Sequence, residues 1–235
     1  MMVDIHCHIL PGIDDGAATL SDSLKMARIA VEDGISHIVA TPHIKGDIHS
    51  PEFLDERVRQ FREKLQGKSA SLQILRGADV SSVLPPEVAA CYTINNGPYF
   101  LLEFPHSHLP RNANEIVFKI LLAGLRPIIT HPERNPSMVR DPELLFRLVD
   151  AGCLVQVTAG SLTGNFGADA RDCAIYLLKK HCVHFLATDA HSPTHRRPVL
   201  SPAVEEAAAI IGTSAALELV TTNPSAVIAG RPLDE

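Results

Sequence analysis

Tryptophan is absent from this chain of 235 residues and aromatics make up only 5% of it, a poverty that by itself says nothing about function. Other absences exclude more. No apolar run approaches the roughly 18 residues needed to cross a bilayer, so no membrane insertion is expected. Basic residues are not in excess: the formal net charge is -6, which argues against nucleic acid as a partner held on a cationic surface. The opening residues include Asp4 and no basic stretch, unlike a secretory signal. The five cysteines (Cys7, Cys91, Cys153, Cys173 and Cys182) form no CxxC pair, a pattern of reduced thiols that points to a cytoplasmic location. The glycine-rich stretch from Gly160 to Gly167 has neither a Walker lysine nor a GxGxxG spacing and reads as a flexible rim. No linker, low-complexity tract or repeat breaks the chain, and its length fits a single domain over residues 1–235.

What is abundant is histidine, with twelve residues. Their positions follow an alternation of apolar strands with amphipathic helices. Strands are expected at Met1–Val3 running into Asp4-Ile5-His6-Cys7-His8, at His37–Thr41, Leu72–Leu75, Tyr99–Phe104, Pro127–Thr130, Cys153–Val157 and His184–Thr188. Helices between them carry their own punctuation. Leu20, Leu24, Ala27 and Val31 make one stripe before Gly34, and Ser50-Pro51-Glu52 opens another helix. Ser201-Pro202 starts a closing helix, and a last one from Thr213 is expected to stop before Asn223-Pro224. Seven such units predict an α/β fold with a parallel sheet, a barrel of the (β/α)8 type in incomplete or distorted form, with an open doubly wound sheet as the alternative.

In parallel α/β folds, chemistry gathers at the C-terminal ends of the strands. Here those ends carry His6 and His8, His43, Asp79, Glu103, His131, and Asp189 with His191. Six of the seven ends offer a metal ligand, and the sixth strand, with Gln156 and Thr158, is the exception. His6 and His8 share a strand face because they are two residues apart, whereas Cys7 between them points to the core. This donor set exceeds one tetrahedral zinc site, and mixed imidazole and carboxylate ligands suit several ions such as Mn²⁺, Fe²⁺ or Zn²⁺. Clustered ions activate water and clamp the oxygens of an in-line displacement at phosphorus. Arg134, in His131-Pro132-Glu133-Arg134, and Arg196 or Arg197, after His191, add groups suited to phosphate.

Asp4-Ile5-His6-Cys7-His8, Thr41-Pro42-His43, His131-Pro132-Glu133-Arg134 and Thr188-Asp189-Ala190-His191 resemble the motifs of the polymerase and histidinol phosphatase (PHP) superfamily. The continuation through Pro11-Gly12-Ile13-Asp14-Asp15-Gly16 narrows the likeness. It resembles the bacterial manganese-dependent protein-tyrosine phosphatases encoded with capsule and exopolysaccharide genes. Leu102-Glu103-Phe104-Pro105, Asn223-Pro224 and Gly230-Arg231-Pro232 extend the resemblance along nearly the whole sequence. It implies a distorted TIM-like (β/α)7 barrel of the PHP fold with up to three Mn²⁺ ions, Fe or Zn being the substitutes. By motif position it implies that His6, His8, Asp189 and Asp79 hold the first ion. Glu103, His131 and Asp79 would hold the second, and Asp15, His43 and His191 the third. Asp15, Arg134 and Arg196 would be catalytic, with Arg134, Arg196 and Arg197 candidates for the phosphoryl group. The family usually has glutamate where this chain has Asp79, one methylene shorter at an expected bridge.

The activity implied is hydrolysis of a phosphotyrosine protein, by family analogy a bacterial tyrosine kinase of polysaccharide synthesis. A cysteine-based route is excluded because it needs arginine six positions after the nucleophile. The five cysteines have Ile13, Gly97, Ala159, Lys179 and Thr188 there. A small-molecule phosphatase such as a histidinol-phosphate phosphatase is the rival in the same fold. A non-catalytic metal-binding regulator is the rival of another class. A C–N hydrolase would explain the histidine pair but not the extra carboxylates and arginines. His106 and His108 form a second HxH after the fourth strand, read as a rim pair outside the metal set.

Overall fold

The computed structural model describes residues 1–46 and 49–233. Nine strand segments, β1 (Met2–Cys7), β2 (Ile35–Ala40), β3 (His43–Ile44), β4 (Gln73–Arg76), β5 (Asp79–Ser81), β6 (Tyr99–Glu103), β7 (Arg126–Thr130), β8 (Leu154–Thr158) and β9 (Phe185–Ala187), pair only in parallel. They form the orders β1-β2-β4 and β3-β5-β6-β7-β8-β9. The division between the two sheets is local. Pro42 has no N–H to give a ladder, so Thr41-Pro42 separates β2 from β3. Gly77-Ala78 separates β4 from β5 at the same level, and the bonds Gly77 N–H to Ala40 C=O (3.0 Å) and Asp79 N–H to Pro42 C=O (3.1 Å) carry the pairing across. Taken through these breaks, the nine segments are seven strands, as the sequence predicts.

The ring closes between its first and last strands, and the closure is uneven. At the C-terminal end Cys7 pairs with Ala190, and the Asp189 and His8 N–H groups bond to His6 and Ala190 C=O at 2.8 and 2.9 Å. At the other end the chain near Val220 comes between the two strands. Val3 N–H bonds to Val220 C=O at 2.8 Å and Leu186 N–H to Leu219 C=O at 3.1 Å. This wedge distorts the barrel, leaving it tight only where the functional strand ends meet.

Two apolar clusters follow from the strand alternation. The inner one fills the barrel with Val3, Ile5, Val39, Tyr99, Leu101, Ile128, Phe185 and Ala187, and Ile94 and Val227 join it from outside the strands. The outer one packs the other strand faces against the helices, through residues such as Met26, Ala27, Leu54, Phe61, Phe100, Leu102 and Leu177. β1 breaks the alternation. Val3 and Ile5 belong to the inner cluster, yet Cys7 and Ile9 belong to the outer one. A register shift between Asp4 and Cys7 accounts for the change. Such an irregularity re-aims side chains beside active sites, and here it turns His6 and His8 inward.

The helices around the ring include α1 (Leu20–Glu32), capped by Thr19, and α2 (Pro51–Arg62), capped by Ser50 with proline at its start. The stretch expected to be a flexible rim contains a helical turn at Ala159–Leu162. The helix from Thr213 stops before Asn223-Pro224 as expected, but it is not the last one. It ends at Glu218, and Asn223-Pro224 lies inside a further helix, Thr222–Ile228. Pro224 is tolerated there because first-turn N–H groups have no intrahelical acceptor.

Candidate metal centre

All the strand-end ligands converge on the closed end of the ring. His6 Nε2 and His8 Nε2 are 3.2 Å apart, and Asp189 Oδ1 lies 3.4 and 3.5 Å from them. The outer nitrogen of each ring is committed. His6 Nδ1 meets Gln156 Oε1 at 2.8 Å, and His8 Nδ1 meets Asp14 Oδ2 at 2.6 Å. A carbonyl or carboxylate oxygen can only accept, so each Nδ1 carries the proton and each Nε2 turns a lone pair toward the other. Two lone pairs face to face in a buried site require a cation between them or an added proton.

A second group surrounds Asp79. Its Oδ1 accepts from the Thr130 hydroxyl at 3.4 Å, while Oδ2 lies 3.3 Å from His43 Nδ1 and 3.7 Å from His6 Nε2. Glu103 Oε2 is 3.4 Å from the same His43 nitrogen. His43 Nδ1, Asp79 Oδ2 and Glu103 Oε1 are buried without a hydrogen bond of proper geometry. Such orphaned atoms are costly unless an ion satisfies them. The third group is nearer solvent. Asp15 Oδ1, on a side chain 69% exposed, lies 3.5 Å from His43 Nε2 and 3.6 Å from His191 Nε2. His8, Asp15, His43 and His191 offer donor atoms within 4.8 Å of one another. His131 stands further back, its Nε2 3.9 Å from Glu103 Oε1.

Without metal, protons occupy part of this set. Burial works against the charge on His8, but Asp14 and Asp189 outweigh it and raise the pKa to about 9. Burial likewise opposes protonation of His43, yet Asp79 and Glu103 lift it to about 10. Burial pushes His131 and His191 down to about 3, with Arg134 adding to the first and His8 to the second. Asp189 stays ionised against its burial because His6, His8 and His131 surround it. The cations thus sit where carboxylates converge, as a metal site with its ions replaced by protons demands. The donor chemistry and the orphaned atoms both fit divalent ions.

Two ligands stand on unusual backbone. His131 (φ +38°) and Asp189 (φ +49°) are left-handed residues that are not glycine, a conformation concentrated at functional sites. After His131 the turn Pro132–Arg134 carries Arg134 to Asp189, and His191 N–H to Arg196 C=O (2.9 Å) folds Arg196 back. Arg134 Nη1 and Arg196 Nη2 each lie 2.5 Å from Asp189 Oδ2. Arg197, expected near the phosphoryl group, is exposed and lines a neighbouring cavity of about 760 Å³ with Arg196, Phe166 and His195. Of the two, only Arg196 reaches the donor set.

Sequence reasoning missed four supporting residues. Asp14 lies in the acidic loop beside the expected Asp15, and it also accepts from the His43 and Gly16 N–H groups at 3.1 and 2.9 Å. Gln156, on the one strand lacking a ligand, positions His6. His106, read as a solvated rim residue, has Nε2 3.1 Å from Glu103 Oε1 and its ring stacked on His131 at 5.4 Å. Phe166 lies under both arginines, 4.3 Å from the Arg134 guanidinium carbon and 5.6 Å from that of Arg196. Cys7, between the two histidines, is buried, its pKa raised by that burial, and its Sγ approaches Ala190 C=O rather than the imidazoles.

A distorted parallel barrel whose closing strands present a multinuclear histidine and carboxylate centre defines a metal-dependent hydrolase of the PHP class. Residues 2–229 match the family model for capsular polysaccharide synthesis, CpsB/CapC, and the chain belongs to that family. The tyrosine-protein phosphatase YwqE of Bacillus subtilis is 38% identical over 197 residues, spanning 81% of this chain and 78% of the relative. The tyrosine-protein phosphatase CpsB of Streptococcus pneumoniae is 29% identical, over 97% of this chain and 98% of its own length. A crystal structure from a study of YwqE and CpsB as metal-dependent tyrosine phosphatases superimposes with a TM-score of 0.93, at 34% identity. It covers 99% of this chain and 96% of that one.

Proposed function

We propose that this chain, acting as a single domain over residues 1–235, is a metal-dependent phosphatase that hydrolyses phosphotyrosine on a protein. The observation that carries the reading is the meeting of two guanidiniums on Asp189, whose other oxygen faces His6 and His8. A pair of planar forks at the edge of a divalent-ion site suits the equatorial oxygens of a transferring phosphoryl group.

His6, His8, Asp189 and Asp79 would hold one ion, and Asp79, Glu103 and His131 a second. Asp15, His43 and His191 would hold a third. When bound, Mn²⁺, Fe²⁺ or Zn²⁺ supplies the Lewis acidity that activates water and neutralises phosphoryl oxygens. Asp79 Oδ2 lies between His6 and His43, 3.7 and 3.3 Å away, so the shorter side chain still reaches two corners. That supports a working enzyme over a regulator with a disabled bridge. Arg134 and Arg196 orient the phosphoryl group and offset its growing charge. Asp15, exposed at the mouth, is the residue assigned to pass a proton toward the leaving oxygen. Tyrosinate, with a pKa near 10, needs little of that help.

The phosphotyrosine partner we assign is a bacterial tyrosine kinase of capsule or exopolysaccharide synthesis, met in the cytoplasm. That YwqE and CpsB are tyrosine-protein phosphatases supports the substrate class. Turnover of a phosphotyrosine peptide and of histidinol phosphate by the Mn²⁺-loaded protein, with and without chelator, tests the reading. A preference for histidinol phosphate, or activity that survives complete chelation, would sink it.

A further inference from the structure

Two positive guanidiniums converge on one carboxylate oxygen, an arrangement that a single negative charge does not balance. Asp189 Oδ2 receives both Arg134 and Arg196 at 2.5 Å, while Oδ1 is already turned to His6 and His8. Arg196 is partly withdrawn from water. Something further must keep the pair together.

The ring of Phe166 faces both. It lies 4.3 Å from the Arg134 carbon and 5.6 Å from that of Arg196, within the range of a cation–π contact. The ring is seated by its own loop. A Cβ on Gly160 would fall 2.9 Å from Phe166 Cε2, so the glycine leaves room for the ring where it lies and a side chain there would push it aside. Asn165 N–H closes the turn onto Gly160 C=O at 2.8 Å, and Gly164 and Gly167 take the positive φ values that reverse the chain around it. The base of the loop is fastened to the Arg134 turn. Buried Glu133 accepts from the Ser161 hydroxyl at 2.7 Å and the Thr158 N–H at 3.0 Å. One end of this assembly therefore holds the backbone of Arg134, and the other presents an aromatic face to its guanidinium.

We propose that Phe166 is a positioning residue that holds Arg134 and Arg196 as a preformed pair for the phosphoryl group; the inference rests on the phosphatase reading above. Its aromatic face, rather than its bulk, is what matters. Phe166→Leu keeps an apolar side chain without a π system, and Phe166→Tyr keeps the π system.

The test measures binding of inorganic phosphate to the metal-loaded protein, KM and kcat on a phosphotyrosine peptide, and the guanidinium Nε–H resonances of Arg134 and Arg196. The Leu variant is expected to weaken phosphate binding and raise KM about three- to tenfold, the scale of a partly desolvated cation–π contact. The ring-current shifts of both arginines should collapse in it, while the Tyr variant retains shifts and affinity. Should the Leu variant not fold, Gly160→Ala displaces the ring while leaving Phe166 in the chain and should move the same three readouts. Wild-type affinity and arginine shifts in the Leu variant overturn the proposal. So does a Tyr variant as impaired as the Leu variant at full metal content. Arg134→Ala distinguishes the two layers: phosphate affinity indifferent to that change overturns the arginine assignment itself, whatever Phe166 does.

Discussion

Asp14→Asn should separate the support of the metal centre from its ligands. Asp14 touches His8 Nδ1 at 2.6 Å and accepts from the His43 and Gly16 N–H groups at 3.1 and 2.9 Å. Asparagine keeps the shape and one carbonyl acceptor but removes the charge that makes His8 Nε2 a strong donor. Loss of such an outer carboxylate costs about 10- to 100-fold in metal affinity, or roughly 1.4–2.7 kcal/mol. Competition with a calibrated chelator measures this directly. Activity should fall at limiting metal and recover substantially when metal is saturating, because no ligand has been deleted. The proton balance should move as well. In the metal-free protein His8 is raised from 6.5 to about 9, against its burial, by Asp14 and Asp189, a bias toward the protonated ring of roughly 3 kcal/mol. A folded pKa above the unfolded one stabilises fully below pH 6.5 and loses that contribution as pH rises through about 9. The metal-free wild type should therefore lose stability between those pH values, and the Asn variant should lose less. Histidine NMR across the same range follows the ring itself. Wild-type metal affinity together with an unshifted His8 titration in Asp14→Asn would refute the reasoning.

Gln156→Leu leaves His6 Nδ1 without its acceptor and should weaken metal binding about tenfold with little change in the circular dichroism of the fold. Cys7→Ala removes a fully buried group and should cost about 1 kcal/mol in denaturant unfolding; kcat of the metal-saturated enzyme should stay near wild type, and its abolition would reopen a thiol mechanism. Complete removal of metal should abolish turnover and lower the melting temperature, since ions that bind only the folded chain stabilise it by mass action; calorimetry with and without chelator checks both.

The strand-end ligands were legible because each closes an apolar run, so position in sequence already implied position in the barrel. His6, His8, His43, Asp79, Glu103, Asp189 and His191 all reach the tight groups, and His131 lies just behind. The supporting residues were hidden for a physical reason. Gln156 matters only because closure of the ring brings β8 within one strand of β1, a relation between residues 150 positions apart. Phe166 looked like one aromatic in a glycine-rich rim until the Glu133 anchor and the bare backbone of Gly160 gave it a seat. The local inversion in β1 was equally invisible, since a period of two continues through His6 in the sequence while the backbone shifts register there. Asn223-Pro224 misled in the opposite sense, because a proline that ends one helix is also at home in the first turn of the next.

The uneven closure of the ring has a biosynthetic consequence. Asp4 and Thr188, bonded side chain to side chain at 2.5 Å, are 184 positions apart. During translation His6 and His8 emerge early, while Asp189 and His191 follow only after the six strand segments of the larger sheet have been made. A nascent chain thus exposes two imidazoles long before it owns a pocket that can choose among metals. An ion held by His6, His8 and Asp189 would have to wait for β9 to dock, so its binding would report that the barrel has closed.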